Sequence, residues 1–216
     1  MMNDIADRLN YRSIQSLSDP SYDSWLDIYQ TSFPLTEQML VSSLNSALRE
    51  IEGHDASERT AEFLLAETEG GEAVGISHYV YSEDCKAGLL WYIAVRKDIR
   101  SKGFGSQIYR ESVRRLKNDH PEIIALMFEV EDPTHADTDE ENQLAYRRIA
   151  FYRRCEAKLV GGIHYLQSVG WQPPIPMNLM IQPLNDAFAI TAENALELIR
   201  CAFGSEVEQI SEITLE

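Results

Sequence analysis

Residues Gly88 to Val95 read G-L-L-W-Y-I-A-V, an almost unbroken apolar run, and R-K-D-I-R-S-K-G-F-G-S-Q follows it without a spacer. A run so short and so apolar fits a β-strand covered on both faces. The glycines mark a turn at Arg100–Gly105, after which Ile108, Tyr109, Val113 and Leu116 recur at helical spacing to about Lys117. Ile123 to Phe128 is a second continuous apolar run. Two covered strands joined through a helix confine the chain to folds in which helices pack on a sheet.

The remaining elements extend that frame. Tyr11 to Leu17 is a strand candidate, and Tyr22 to Phe33 carries Trp25, Ile28, Tyr29 and Phe33 at helical spacing until Pro34 stops it. Thr36 is placed to cap a second helix with Leu44, Ala47, Leu48 and Ile51 on one face. Ala61–Thr68 and Ala73–Ser82 flank E-G-G-E, a hairpin turn. An acidic loop from Glu131 to Glu141 leads to a helix over Asn142–Arg154, then strands at Ala157–Leu166 and Met177–Ile181. Thr191 caps a last helix that Gly204 ends. This divides the chain into a domain over residues 1–185 and a C-terminal helical extension over 186–216, packed on or beside it. The fold class is α/β (α+β), a mixed sheet with helices on its faces.

Charge narrows the partners. The 35 acidic residues outnumber the 19 basic ones, for a formal net charge of −16. Phosphate repulsion over such a surface argues against nucleic acid. No apolar stretch has the length of a membrane span or of a secretory h-region, so a cytoplasmic protein without membrane contact is expected. Cys85, Cys155 and Cys201 are odd in number and far apart, giving neither a disulfide framework nor zinc spacing. The histidines are scattered, and no metal is expected. Against this acidic background, eight of the ten charged residues from Arg96 to Lys117 are basic.

That island coincides with the glycine turn, where backbone N–H groups and the positive end of a helix make an anion site. A P-loop would need G-K-[ST], but Gly105 precedes Ser106-Gln107; a dinucleotide fingerprint would need glycine where Ile108 stands. What remains is R-x-x-G-x-G, Arg100 to Gly105, directly after I-A-V-R. This resembles the coenzyme A pyrophosphate motif of the GNAT N-acetyltransferase superfamily, Q/R-x-x-G-x-G/A after a bulged strand. Ala150-Phe151-Tyr152 followed by Cys155-Glu156-Ala157 is similar to a second family segment, A-x-x-F/L-Y-x-x-x-G-F/A. The chain departs from the family pattern at Ala145, Arg148 and Glu156, where Asn, Ala and Gly are usual.

The resemblance implies a GNAT-like, mostly antiparallel sheet with splayed central strands, helices on both faces and the extra C-terminal helix. It implies acetyl-CoA as co-substrate. The turn residues Ser101, Lys102, Gly103, Phe104, Gly105 and Ser106 would hold the pyrophosphate, with Arg100 shaping the turn. The strand backbone at Ile93, Ala94 and Val95 would pair with the pantetheine arm and polarise the thioester carbonyl. Tyr152 would be the general acid for the leaving thiolate. Periodicity alone reads Ala145, Ile149 and Tyr152 as a core stripe, and both readings stay open.

The acceptor amine needs a base, because an amine of pKa ~10.4 is mostly ammonium at neutral pH. Glu129 and Glu131 flank Val130 and fall on one strand face. Glu129, expected to be the more buried, is the candidate base, its pKa raised by burial and by its like-charged neighbour; Glu131 is the candidate anchor for the acceptor's charge. The bland alternative is two charges emerging into solvent. His78, Tyr79, Tyr81, His164 and Tyr165 lie on strands that border the acceptor cleft in the family, each more often core or surface than ligand. The function expected is acetyl transfer to a primary amine of a small molecule, cationic if the acidic surface guides it, by direct attack. Peptide or protein acetylation and non-catalytic acyl-CoA binding are the alternatives, and a homodimer is compatible with either.

Overall fold

The computed structural model describes residues 8–55, 58–100, 102–168, 173–185, 189–204 and 207–216. The chain forms two compact units, Met1–Val80 with Leu90–Pro121, and Tyr81–Leu89 with Glu122–Glu216.

The first unit holds β1 (Asn10–Ser13), α1 (Tyr22–Ser32), α2 (Val41–Glu50), β2 (Ala61–Glu67), most of β3 (Ala73–Ser82), the end of β4 (Ala87–Val95) and α3 (Phe104–Asp119). β2 pairs antiparallel with β1 and with β3, Phe63 standing opposite His78. Strand alternation sends Phe63 and Leu65 into a cluster with Trp25, Tyr29, Leu44 and Leu48 of α1 and α2, while Ala66 packs with Phe104 and Ile108 of α3. Burial on both faces is why β2 reads apolar nearly throughout. Its exception, Glu62, is buried, accepting from Arg115 Nη1 at 3.1 Å and from Ser13 Oγ at 2.5 Å.

Two expectations change here. β1 ends at Ser13, short of Leu17. Thr36 caps nothing: α2 begins at Val41, after Leu40. Tertiary bonds hold the intervening segment extended, for Tyr92 Oη donates to the Glu37 carbonyl at 2.9 Å and accepts from Met39 N–H at 3.0 Å. Local propensity yields to that anchor.

The second unit holds the start of β4, β5 (Ala125–Glu131), α4 (Asp139–Arg153), β6 (Lys158–Gln167), β7 (Ile175–Pro183), α5 (Ala192–Phe203) and β8 (Val207–Leu215). Ala87–Leu89 run parallel to Ala125–Met127; β5–β7, β7–β6 and β6–β8 are antiparallel. With the first unit's strands this gives a mixed, mostly antiparallel set of eight, ordered β1-β2-β3-β4-β5-β7-β6-β8. α4 starts three residues before the expected Asn142, because Thr138 and Glu141 form a capping box. The acidic residues read as loop are therefore its first turn, where carboxylates suit the helix dipole.

The C-terminal segment contains the expected α5, capped by Thr191, and also β8, which was not expected. β8 reaches β6 across a register shift at Gly161–Ile163. Gly162 has φ +77°, and a Cβ there would lie 2.2 Å from the Glu212 carbonyl oxygen, so this close approach requires glycine. The cysteine reading is corrected too: Cys85, in the turn between β3 and β4, is disulfide-bonded to Cys201 of α5. Partners 116 residues apart leave no spacing signature in the sequence. No described helix is long and apolar enough to cross a membrane.

Candidate active site

The glycine turn lies in the first unit. Arg96, just after β4, bonds through its backbone N–H to Val74 O at 3.0 Å, and its guanidinium grips Asp98 and Glu72 at 2.6 and 2.7 Å. Arg96 is thus a clasp for the 3-10 turn at Lys97–Ile99. Arg100 folds back, its Nε donating to Val95 O at 3.2 Å. Gly103 then adopts φ +79° and ψ 0° as the N-cap of α3, and buried Phe104 pins the helix start. Ser101 lies outside the described residues.

This geometry suits an anion. No side chain caps α3, so the first-turn N–H groups of Phe104, Gly105 and Ser106 have no intrahelical acceptor and face outward at the positive helix end. A Cβ on Gly103 would meet nothing within 4 Å, so the approach is open. Of the basic island, Arg96, Arg114 and Arg115 are paired with carboxylates. Lys97, Arg100, Lys102 and Arg110 make no ion pair among the described residues, leaving their charge for a ligand. The residues present therefore fit a pyrophosphate. Ile93, Ala94 and Val95 form the end of β4, with Ala94 buried among α1 and α2 side chains and Ile93 and Val95 packed on the α3 side.

The carboxylates and the tyrosine belong to the second unit. β5 runs on to Glu131, so Glu129 and Glu131 are strand residues and not the first charges beyond a strand. Both are half-buried. Glu129 accepts hydrogen bonds from Tyr165 Oη and Gln167 Nε2 of β6. Glu131 is ion-paired with Arg148 of α4, and its Oε2 is buried without a hydrogen-bond partner among the described residues. Arg148, at a position where the chain departs from the family pattern, thereby offsets the charge expected to bear on Glu129.

Tyr152 is 5% exposed and completes the stripe of Ala145 and Ile149. Its ring packs on Phe128 and Phe151, with centroids 4.3 and 4.9 Å away. Burial pushes its hydroxyl up to about 12; Arg148 works against this, while Glu131 and Cys155 add to it. Strand alternation turns Phe128 and Glu129 to opposite sides of β5, so Tyr152 packs behind the strand face opposite that of Glu129. The structure thus groups Tyr152, Arg148 and Glu131, and separately Glu129, Tyr165 and Gln167.

His78 is removed from the acceptor candidates. It is buried, stacked on Phe63 at 4.1 Å, and its Nδ1 donates to the Glu62 carbonyl at 2.9 Å. Gln167 was missed, although the Tyr-x-Gln spacing of Tyr165 and Gln167 places both on one strand face. Among the described residues no cluster of three His, Cys, Asp or Glu side chains could hold a metal.

Comparison with known proteins agrees with this fold. A search of curated proteins finds no match. Among solved structures, a Bacteroides thetaiotaomicron protein assigned to the GNAT acetyltransferases is 20% identical with a TM-score of 0.66, covering 90% of this chain and 98% of its own. A Vibrio cholerae spermidine/spermine N-acetyltransferase is 11% identical with a TM-score of 0.57, over 83% and 94%. A Bacillus subtilis acetyltransferase in complex with CoA is 13% identical with a TM-score of 0.55, over 82% and 100%. At these identities the likeness is one of fold. The profile of the acetyltransferase (GNAT) family matches residues 22–157, more than half of the chain and inclusive of the glycine turn and Tyr152. With the fold, the turn and the profile in agreement, the chain belongs to the GNAT family of acyl-CoA-dependent N-acetyltransferases.

Proposed function

We propose that the protein moves an acetyl group from acetyl-CoA to a primary amine of a small molecule by direct attack. Acetyl-CoA supplies the activated acyl group as a thioester. The Lys102–Ser106 backbone would bind its pyrophosphate, and the Ile93–Val95 backbone would hold the pantetheine arm and polarise the carbonyl. Glu129 takes the acceptor's proton, directly or through one water. Glu131 receives its positive charge on Oε2, the oxygen that has no partner among the described residues. Tyr152, protonated at neutral pH because burial raises its pKa, donates to the departing sulfur. A cytoplasmic setting belongs to this reading; there the Cys85–Cys201 pair would be held as thiols.

The observation that carries the acceptor assignment is the Glu129–Glu131 pair on β5, one carboxylate held by neutral donors and the other with a buried unpartnered oxygen. That arrangement suits a cation with N–H donors. Mass spectrometry of acetyl-CoA incubated with a panel of amines tests it. The expected result is acetylated primary amine and free coenzyme A in equal amounts. Calorimetric coenzyme A binding without product from any amine in the panel would leave a non-catalytic acyl-CoA-binding protein instead.

A further inference from the structure

Glu129 does not stand alone on β5. Its two oxygens face two different side chains of β6, Tyr165 and Gln167, with β7 between the strands. Met177 of β7 is the register partner of both Glu131 and Tyr165, so carboxylates and β6 side chains converge over the same stretch of β7. A carboxylate only accepts hydrogen bonds, which fixes the Gln167 amide with its nitrogen toward Glu129 and its Oε1 away. That Oε1 is buried and without a hydrogen-bond partner among the described residues, as is Glu131 Oε2. Buried acceptors without donors are costly unless a ligand supplies N–H groups.

We propose that Tyr165 and Gln167 are positioning residues that keep the Glu129 carboxylate ionised and aimed, and that with Glu131 they form an acceptor-lined site for a primary ammonium. This rests on Glu129 being the base. Both donors are neutral, so they favour the ionised carboxylate without cancelling its charge, as a paired arginine would. A base that must draw a proton from an ammonium needs that combination. Tyr165 has little freedom to do otherwise: it is 3% exposed, and its ring meets Phe203 of α5 edge-on at 5.3 Å and 67°. The C-terminal helix therefore sets where the Tyr165 hydroxyl stands, and through it where Glu129 points.

Carboxyl carbon NMR of the full chain, labelled at glutamate, reads this directly, with the Glu129 signal assigned by its loss in Glu129→Gln. Tyr165→Phe keeps the ring against Phe203 and removes one donor; Gln167→Met keeps the volume and removes the other. Each should raise the Glu129 titration midpoint by about one pH unit, as loss of a hydrogen bond to a charged group implies. An unmoved midpoint in folded variants, whatever their melting temperature, overturns the proposal. The base assignment is judged separately, by the pH–rate profile with acetyl-CoA and spermidine as probe. Glu129→Gln should abolish the acidic limb, and Tyr165→Phe should move it upward. A Glu129→Gln enzyme with the wild-type profile removes Glu129 as base, while the titration still decides whether Tyr165 and Gln167 hold it.

Discussion

His78 is stacked between rings, with its pKa lowered from 6.5 to about 4 because burial penalises the charged form. The unfolded chain therefore binds a proton that the folded chain refuses between those two values. Stability from this residue is complete above pH 6.5 and is lost as pH falls toward 4, by about 3 kcal/mol at most. His78→Phe should give a shallower loss of stability between pH 7 and 4, read by urea unfolding at each pH; an unchanged slope would show that His78 does not drive acid sensitivity. Tyr152 poses a different problem, since both its roles need it buried. Tyr152→Phe keeps the packing on Phe128 and should lower turnover by about 10²-fold at unchanged coenzyme A affinity. Equal turnover with a lower melting temperature would make Tyr152 a core residue only. Of these two side chains, Tyr152 was legible as a candidate from its motif. The seclusion of His78 was not, because it comes from Phe63, Trp25 and Tyr92, which reach it only in the folded chain.

The junction of β4 with α3 was the most legible element, since its constraints are local. A covered strand must be apolar along its length, and a left-handed N-cap must be glycine or pay in strain. Gly103→Val at φ +79° should cost about 1–3 kcal/mol of stability and weaken coenzyme A binding by about 10- to 100-fold as N–H groups leave the phosphates. Calorimetry showing unchanged affinity in the folded variant would remove the cofactor assignment. β8 was illegible for the opposite reason. Its sequence V-E-Q-I-S-E-I-T-L breaks the period of two, placing Val207, Gln209, Ser211, Ile213 and Leu215 on one face, so only its pairing with β6 makes it a strand. The late start assigned to α4 was an avoidable error: Thr138 and Glu141 were visible three residues apart, but the surrounding acidity read as loop.

Across the whole molecule, long-range terms decide what local pattern leaves open. The basic island looked like one charged surface, yet Arg115 is turned inward to Glu62, Ser13 and the Tyr11 carbonyl, more than fifty residues away in each case. The disulfide is the longest such tie. Linking positions 116 residues apart limits the unfolded chain, and typical values of about 2–4 kcal/mol for such bonds correspond to roughly 5–15 °C in a protein of this size. Reduction should lower the melting temperature by that amount. Cys201→Ser should melt at the reduced value and show no further response to reductant; a reductant-insensitive wild type would mean that the bond adds nothing to stability.

The same bond makes a covalent ring of the chain from Cys85 to Cys201, so that β5, α4, β6 and β7 are all part of a closed circuit. One peptide cut inside this circuit cannot release a fragment. A nicked, oxidised molecule would keep its full mass in a denaturing gel and fall into two bands only when a thiol is added. A cut outside it, before Cys85 or after Cys201, would shed a piece in either condition. Proteolysis compared with and without reductant therefore maps each cleavage to the inside or the outside of the ring, and reports the oxidation state of the cysteines in whatever compartment the protein was taken from.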